Sequence, residues 1–374
     1  MAGSKITVLM PVYNGKSYLK EAIESVLEQT FTAFEFLIIN DGSTDRSVEI
    51  IESYNDCRIR LVHNGANLKL ITTLNRGVGL ARGEYTARMD ADDVMAPQRL
   101  EKQIQYLDAN PQVCVVGSWW KNVDQNGKSH GYTRVPIKDY ACAFMMFAEG
   151  EGPVGHPCVM YRTQIIRQLG YRSEYEDCED TDLWFRVISS GYKISNIPEV
   201  LTLYRVHDGQ ICRKSRVQNE AHNRVLSNFL SEKLSRPIKP DMAALIRPVN
   251  FNDTRFQNTF LLYQMLSLKC QIIQAFFDEY TLTSNQLLAC LLTLWESILG
   301  LCRLRIVSAI RMFMKNLGFC LEIIRHNFKS QNHLSKAYCI LLFIVLSVPL
   351  SAVIIARDNV RRLASIAKRV IFTI

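Results

Sequence analysis

Apolar and polar positions in the first half of the chain alternate between two periods. Ile6 to Met10 is an apolar run interrupted only by Thr7, and the turn Pro11-Val12-Tyr13-Asn14-Gly15 follows it. After that turn, apolar residues recur at i, i+3, i+4, i+7 and i+8, the spacing of one helix face. They are Leu19, Ala22, Ile23, Val26 and Leu27. This stretch therefore predicts a buried strand followed by an amphipathic helix.

The same pattern repeats up to residue 89. It predicts strands at residues 34–39, 58–62 and 85–89, and helices near residues 47–54 and 68–81. Strict alternation of strand and helix is typical of an α/β fold with a parallel sheet and crossover helices.

Two acidic clusters each follow directly on one of these predicted strands. They are Asn40-Asp41-Gly42-Ser43-Thr44-Asp45 and Arg88-Met89-Asp90-Ala91-Asp92-Asp93. Open α/β sheets bind ligands at the carboxyl ends of their strands. Closely spaced carboxylates repel one another unless a cation neutralises them, and hard divalent metals prefer oxygen ligands. The clusters therefore indicate metal-assisted phosphate chemistry.

The pattern changes near Arg216, where long helical stretches rich in Leu, Ile, Phe and Met begin. We predict one domain over residues 1–215 and a helical region over 216–374. Residues 303–320 have the apolar stripe and basic opposite face of a helix that lies in a headgroup layer. Residues 337–356 are twenty residues without a charge, enough to span a bilayer.

Basic residues flank this apolar segment on both sides, with Lys336 before it and Arg357 after it. Positive charge on both flanks disfavours moving either flank across a membrane, and Pro349 lies inside the segment. A spanning helix, a monotopic hairpin and a buried soluble helix all stay open. Membrane contact would place the chain at the cytoplasmic side of the inner or plasma membrane.

Composition narrows the choice of partner and compartment. The chain has 374 residues, 48% apolar and 21% charged, with a formal net charge of +8, which is typical of a globular protein of two or three domains. The basic residues form no single long run and several gather near the C-terminus, which fits an anionic membrane surface better than nucleic acid. Eleven cysteines without C-x-x-C spacing disfavour a zinc knuckle or a secreted disulfide framework.

Further motifs accompany the acidic clusters in a fixed order between residues 6 and 210. They are Val8-Leu9-Met10-Pro11-Val12-Tyr13-Asn14, Pro97, Arg99-Leu100-Glu101-Lys102-Gln103, Gly155-His156-Pro157, Glu179-Asp180-Thr181-Asp182-Leu183-Trp184 and Tyr204-Arg205-Val206-His207. Together they resemble glycosyltransferase family 2, nucleotide-sugar-dependent enzymes of the GT-A fold. The resemblance implies a Rossmann-like, mostly parallel sheet, a nucleotide-sugar donor and a divalent cation, Mn²⁺ or Mg²⁺.

The resemblance also implies a role for each motif residue. The donor-binding set is Pro11, Val12, Tyr13, Asn14, Asp41, Arg76, Arg82, Asp90 and Ala91. Asp92 is expected to contact the metal and His207 to complete the metal or diphosphate site. Asp180 is expected to be the catalytic base of an inverting transfer, with Glu179 as the alternative. The acceptor-side set is His156, Asp93 and Trp184; for the histidines, arginines and tryptophans, structural roles stay open.

The chemistry of sugar transfer requires the same residue types independently. A departing diphosphate develops negative charge, which a cation held by carboxylates neutralises. The attacking sugar hydroxyl must lose its proton to a base within hydrogen-bond reach.

Two departures from the family pattern bear on substrates. Lys69 stands where the family commonly has Gly, and the chain has no Gln-x-x-Arg-Trp motif of the processive synthases. We therefore expect one sugar per encounter. The expected acceptor is a glycan or polyprenyl-linked glycan in surface polysaccharide or lipopolysaccharide synthesis.

Two other functions stay open. Asp90-x-Asp92 also matches the nucleophile loop of haloacid-dehalogenase-like phosphatases, although that function leaves Asp41 unexplained. A noncatalytic nucleotide-sugar-binding scaffold on a GT-A domain is the other. Such a scaffold is expected to have lost the metal aspartate or the base, and this chain retains both Asp92 and Asp180.

Overall fold

A computed structural model of the chain describes residues 4–207, 210 and 215–246, together with scattered positions between 268 and 290. The chain divides into two compact units, Met1–Arg247 and Pro248–Ile374. The first unit contains every predicted site residue. It also includes the first helix beyond residue 215.

Nine strands and nine α-helices make up the described part of the first unit. The strands are β1 (Ile6–Val12), β2 (Phe34–Asn40), β3 (Ile59–His63), β4 (Tyr85–Arg88), β5 (Val94–Met95), β6 (Val113–Val123), β7 (Ser129–Thr133), β8 (Met160–Arg162) and β9 (Lys193–Arg205). The helices are α1 (Leu19–Leu27), α2 (Ser47–Glu52), α3 (Lys69–Leu80), α4 (Arg99–Ala109), α5 (Asp139–Glu149), α6 (Thr163–Leu169), α7 (Glu179–Ser189), α8 (Ser215–Lys233) and α9 (Pro240–Ala243). Short 3-10 helices cover His156–Cys158, Ser173–Tyr175 and Ala244–Ile246.

All nine strands join one sheet in the order β3-β2-β1-β4-β8-β6-β9-β5, with β7 paired to β6. The strands β1 to β4 pair in parallel, as predicted from the first half of the sequence. The second half of the sheet is mixed and not mostly parallel as expected: β6 and β9 pair in parallel, whereas β8, β7 and β5 pair antiparallel to their neighbours. Strands β5 and β8 have only two and three residues, too few to give a periodic signal, and apolar pattern alone does not set strand direction.

The core lies where the first strands meet the crossover helices. Every residue of β1 and β2 is buried, as expected for parallel strands covered on both faces. The predicted face of α1 is buried. Gly77 lets α3 lie close to β1, because a Cβ atom there would come within 2.4 Å of a methyl carbon of Leu9. This packing fixes the carboxyl ends of β1, β2 and β4 at one edge.

The helix α8 closes the first unit by packing on α7. The rings of Phe185 and Phe229 have centroids 4.2 Å apart, and His222 Nε2 lies 2.6 Å from the carbonyl oxygen of Gly150. None of the helices in the described residues is both long and apolar enough to cross a membrane. The predicted amphipathic helix at 303–320 and the apolar segment at 337–356 lie outside the described residues.

Candidate active site

The acid turn, residues Asp90 to Asp93, follows β4 at the carboxyl edge of the sheet. Ligand oxygens of Asp90, Asp92 and Asp93 all lie within 4.8 Å of one another. Asp93 was predicted on the acceptor side, but it is buried within the acid turn beside Asp90 and Asp92. Its Oδ1 accepts a hydrogen bond of 2.8 Å from the Arg205 amide, and its Oδ2 has no hydrogen-bond partner. Burial raises the pKa of Asp93 well above its ordinary value, and the charges of Asp90 and Asp92 raise it further. A buried carboxylate oxygen without a donor among crowded carboxylates fits a divalent cation.

His207 reaches the acid turn from just beyond the end of β9. Its Nε2 lies 2.9 Å from Oδ2 of Asp92, and its ring centroid lies 5.1 Å from that of Tyr18. Carboxylate oxygens with one imidazole are a donor set that Mn²⁺ accepts. The sequence predicted Asp92 and His207 for one site, and the structure brings them together.

Arg205 supports this turn and was not predicted as a site residue. Its Nε donates to the carbonyl oxygen of Asp92 at 2.9 Å, and its Nη2 lies 2.6 Å from Oε2 of Glu21. The guanidinium also lies over the ring of Tyr18, 4.7 Å from the centroid. Arg205 therefore ties the acid turn to the start of α1. Its place in the motif Tyr204-Arg205-Val206-His207, two residues before His207, was the available signal.

Arg88, at the end of β4, is a second residue that sequence reasoning missed. Its side chain is 3% exposed, its Nη1 pairs with Oδ2 of Asp90, and its Nε is buried without a partner. Burial is the largest single influence and lowers the pKa of Arg88, but the charge and hydrogen bond of Asp90 together with the interactions of Tyr171 and Glu179 outweigh it, so that the net pKa is raised. Burial raises the pKa of Asp90, and the charge of Arg88 opposes that rise. A buried, positively charged arginine thus directly contacts the first carboxylate of the acid turn.

The turns that follow β1 and β2 are joined by Asn14. Its backbone φ is 52°, and its Oδ1 accepts hydrogen bonds from the amides of Thr44 at 2.8 Å and Asp45 at 3.3 Å. Tyr13 beside it is 51% exposed, so its ring is open to a ligand. Pro11 and Val12 were predicted to bind donor, but both are buried within β1. Their contribution is to shape the strand end.

Asp41, directly after β2, is held in a fixed orientation. Its Oδ1 accepts hydrogen bonds from Asn64 Nδ2 at 2.6 Å and from the Leu68 amide at 2.9 Å. Arg76 Nη1 in turn contacts Asn64 Oδ1 and donates to the His63 carbonyl oxygen at 2.8 Å. Arg76 therefore supports Asp41 through Asn64, a buried residue that the sequence did not indicate.

Of two other residues predicted to bind the donor, Ala91 lies at the site and Arg82 does not. Ala91 lies in the acid turn and packs near Gly15, where an added Cβ would lie 3.5 Å from the Ala91 Cβ. Arg82 lies at the opposite edge of the sheet, because its amide donates to Thr7 Oγ1, near the start of β1, at 3.2 Å. The geometry does not bring Arg82 to the site, and we remove it from the donor-binding set.

The acceptor-side acids Glu179 and Asp180 begin α7. Asp180 is partly exposed, and its Oδ1 accepts a hydrogen bond of 2.7 Å from the Thr181 amide. Burial raises the pKa of Asp180; nearby His156 opposes the rise and Glu179 adds to it. Burial likewise raises the pKa of Glu179. A carboxylate with a raised pKa at a partly exposed position is suited to accept a proton.

His156 is buried directly behind these acids. Its Nδ1 lies 3.6 Å from Oε1 of Glu179, and its Nε2 lies 3.0 Å from the hydroxyl of Tyr171. Burial, with the charge of Arg88, lowers the pKa of His156 to about 3, so the imidazole is neutral. Trp184 was predicted on the acceptor side, but it is fully buried and packs edge-on against His156 at 5.9 Å between centroids. Its ring face is therefore closed to a sugar.

The backbone conformation at Lys69 accounts for the glycine that the family commonly has at this position. Its φ is 71°, a left-handed conformation that glycine adopts more readily. Its Nζ lies 3.1 Å from Oε1 of Glu176, and both side chains are exposed. The loop next to Asp41 is thus linked to the loop that precedes α7.

Comparison with known proteins identifies the family. Residues 7–170 match the family model described as glycosyl transferase family 2. An uncharacterised glycosyltransferase of Methanocaldococcus jannaschii is 36% identical over 211 residues, which cover 54% of this chain and 70% of that protein. The chain belongs to glycosyltransferase family 2. This family 2 glycosyltransferase is also 30% identical over 212 residues to the amylovoran biosynthesis glycosyltransferase AmsE of Erwinia amylovora, covering 56% and 79% of the two chains.

The fold of the glycosyltransferase is GT-A-like, with a mixed sheet. It resembles S. aureus TarS, residues 1–349 in complex with UDP-GlcNAc, with a TM-score of 0.52 and 20% identity. The match covers 72% of this chain and 81% of that one. The predictions of an enzyme of this family and of an α/β fold are confirmed.

Proposed function

We propose that this glycosyltransferase moves one sugar per encounter from a nucleotide-sugar donor to a hydroxyl of a glycan or lipid-linked glycan, with inversion at the anomeric carbon. The grouping of three carboxylates within 4.8 Å at the acid turn carries the proposal. Arg88 interacts electrostatically both with Asp90 and with Glu179 on the acceptor side, which supports treating the two groups as one site.

On the donor side, Asp41 and the exposed ring of Tyr13 are proposed to bind the nucleoside. Asp92 and His207, with Asp93, would hold a divalent cation, and Asp90 would face the ribose or the sugar. The cation would supply positive charge where the leaving diphosphate becomes more negative. The chain itself contributes orientation: Arg205 fixes the acid turn, and Arg76 fixes Asp41 through Asn64.

On the acceptor side, Asp180 is proposed as the base that accepts the proton of the attacking hydroxyl. Its partial exposure and raised pKa support this role. Attack on the face opposite the diphosphate inverts the anomeric carbon. Glu179 is the alternative base, but it is more deeply buried.

Substrate class follows from the relatives only as a proposal. AmsE acts in amylovoran biosynthesis, and the TarS structure contains UDP-GlcNAc. We propose a surface-polysaccharide glycan as acceptor and a nucleotide sugar of the UDP or GDP type as donor.

We further propose attachment to the cytoplasmic face of the membrane through residues 303–320 and 337–356, on the strength of their sequence pattern. Washing membranes with carbonate tests it. Release by carbonate indicates peripheral attachment, and retention indicates integral attachment. Recovery of the full chain in the soluble fraction without washing would contradict the proposal.

The function is tested by hydrolysis of a nucleotide-sugar panel with Mn²⁺ or Mg²⁺, comparing UDP-GlcNAc, UDP-glucose, UDP-galactose and GDP-mannose. Asp92→Asn is expected to lower turnover about hundredfold, through loss of charge stabilisation. Asp180→Asn is expected to lower it about hundredfold, through loss of the base. Asp241→Asn, an exposed acid on α9, is the matched control. Nucleotide-sugar binding without turnover by wild type would instead indicate a noncatalytic scaffold.

A further inference from the structure

A buried polar network lies behind Asp180, the proposed base, and two of its members, Tyr171 and His156, have no role in the proposed function so far. It consists of Tyr171, His156 and Glu179, all less than a tenth exposed. The hydroxyl of Tyr171 lies 3.0 Å from His156 Nε2, and His156 Nδ1 lies 3.6 Å from Glu179 Oε1. Glu179 is the first residue of α7, directly before Asp180.

The neighbours of His156 select one arrangement of its ring. Burial raises the pKa of Glu179, while the charge of Arg88 and the N-terminus of α7 oppose that rise. Oε1 of Glu179 faces Nδ1 of His156, and a carboxylate oxygen accepts, so we place the proton of the neutral imidazole on Nδ1. Nε2 then accepts from the hydroxyl of Tyr171, which burial keeps protonated by raising the pKa of Tyr171 well above its ordinary value.

We propose that Tyr171 is a positioning residue of the transfer reaction, acting through His156 and Glu179 on Asp180. Its hydroxyl fixes the tautomer and the orientation of His156. The Nδ1 of the imidazole then faces Oε1 of Glu179 at 3.6 Å, beyond hydrogen-bond distance but within reach of an electrostatic contact. Through this contact His156 biases the first turn of α7, from which the next residue reaches the acceptor. This proposal rests on the proposed role of Asp180 as the base.

The hydroxyl can be removed without removing the support for the Tyr171 backbone. Asn75 on α3 holds that backbone from both sides, because its Nδ2 donates to the Tyr171 carbonyl oxygen and its Oδ1 accepts from the Tyr171 amide, each at 2.8 Å. The ring also lies 5.6 Å from that of His156, a contact that Phe retains. Tyr171→Phe therefore deletes the hydrogen bond to His156 and the hydroxyl interaction with Tyr161, and it keeps the packing.

The test measures kcat and KM separately for the member of the panel that wild type hydrolyses fastest. Tyr171→Phe is expected to lower kcat about tenfold, as loss of one buried hydrogen bond to a positioned group implies. KM, and the affinity for UDP and GDP with Mn²⁺, are expected to stay at wild-type values. Tyr192→Phe removes an exposed hydroxyl at the far end of α7 and is the matched control. Unchanged kcat in Tyr171→Phe, or an equal loss in both variants, would overturn the proposal.

Asp180→Asn separates failure of this inference from failure of the proposed function. If Asp180→Asn retains turnover, the base assignment fails; if it loses turnover while Tyr171→Phe keeps it, only the positioning role fails. A second measurement needs no substrate. In protein labelled with ¹⁵N-histidine, the His156 signals, assigned with His156→Gln, are expected to show the proton on Nδ1 in wild type and a mixture of tautomers in Tyr171→Phe. A proton on Nε2 in wild type would overturn the proposal.

Discussion

Nε2 of His207 lies 2.9 Å from Oδ2 of Asp92, although the two residues are 115 positions apart in the chain. The acid turn follows β4 in the first half of the unit, whereas His207 follows β9, the last strand in chain order. The proposed metal site is therefore completed only by the last strand. The affinity of the proposed site for a cation is therefore expected to depend on the docking of β9 as well as on the acid turn.

Metal affinity is the first prediction. His207→Gln is expected to weaken binding of Mn²⁺ together with UDP or GDP by about 10- to 100-fold, and Asp92→Asn by at least as much. Calorimetric titration at fixed nucleotide measures both variants. His130→Gln, which changes an exposed histidine on β7, is the control. Wild-type Mn²⁺ affinity in His207→Gln would remove this histidine from the proposed site.

The second prediction compares the two arginines that the sequence proposed for donor binding. Arg76→Ala is expected to weaken UDP or GDP binding about five- to tenfold, because Asn64 loses the partner that orients it towards Asp41. Arg82→Ala is expected to have no effect, since Arg82 lies at the opposite edge of the sheet. Equal losses in the two variants would contradict this placement.

The third prediction concerns the ion pair between the buried Arg88 and the partly exposed Asp90. Arg88→Met leaves the Asp90 carboxylate without its partner and is expected to lower the free energy of unfolding by about 3 kcal/mol. The double variant Arg88→Met/Asp90→Asn is expected to recover part of that loss, since the unpaired charge is gone. Urea denaturation of both single variants and the double variant measures the coupling. Strictly additive losses would show that the pair does not interact.

The fourth prediction is a pH dependence of stability that arises from His156. An unfolded chain protonates this histidine at the ordinary pKa of 6.5, whereas the folded chain resists until the pKa of about 3. Unfolding therefore takes up a proton between these values, and His156 lowers the free energy of unfolding as pH falls, by about 2 kcal/mol at pH 5.

The control for this prediction is the same pH series in His156→Gln. The raised pKa values of Asp90, Asp180 and Glu179 act in the opposite direction, because these carboxyls take up protons more readily in the folded state. These groups and Arg88 are the charged groups that face His156, and they are present in both proteins. The difference between the two series therefore isolates the histidine. Parallel curves from pH 7 to pH 5 would contradict a buried, neutral His156.

The fifth prediction concerns the left-handed conformation of Lys69. Lys69→Gly is expected to raise the free energy of unfolding by up to about 1 kcal/mol, because glycine adopts this φ without a steric penalty. Lys69→Ala keeps the Cβ atom and is expected to change stability little. Both variants lose the exposed contact with Glu176, which contributes little. The difference between them in urea denaturation therefore measures the relief of backbone strain less the larger backbone entropy that glycine loses on folding.

Sequence pattern was sufficient for the part of the fold in which each element is long and regular. The alternation from Ile6 to Arg88 gave β1 to β4 and their crossover helices with boundaries close to those observed. It failed for β5 and β8, which have two and three residues. Such strands are set by neighbouring strands in space, and this information is not present in local periodicity.

The residues of the candidate site likewise fall into those that the sequence indicated and those that it did not. Asp92 and Asp180 could be named because acidic residues at strand and helix ends are conspicuous in sequence. Arg88, Arg205 and Tyr171 were missed because their importance depends on burial beside residues that are distant in the chain. Arg82 was included wrongly because its nearness to β4 in sequence does not reveal which end of the strand it occupies.

The support of the acid turn by Arg205 and His207 has a consequence for synthesis of the chain. At translation rates of about 5–20 residues per second, the 115 residues that separate Asp92 from His207 take on the order of ten seconds to emerge. During that interval β1 to β4 can pair, while Asp90, Asp92 and Asp93 remain solvated and without Arg205 and His207. Loading of the proposed cation is therefore expected to follow the docking of β9, and a chain truncated before residue 205 keeps the carboxylates but lacks Arg205 and His207, which contact Asp92.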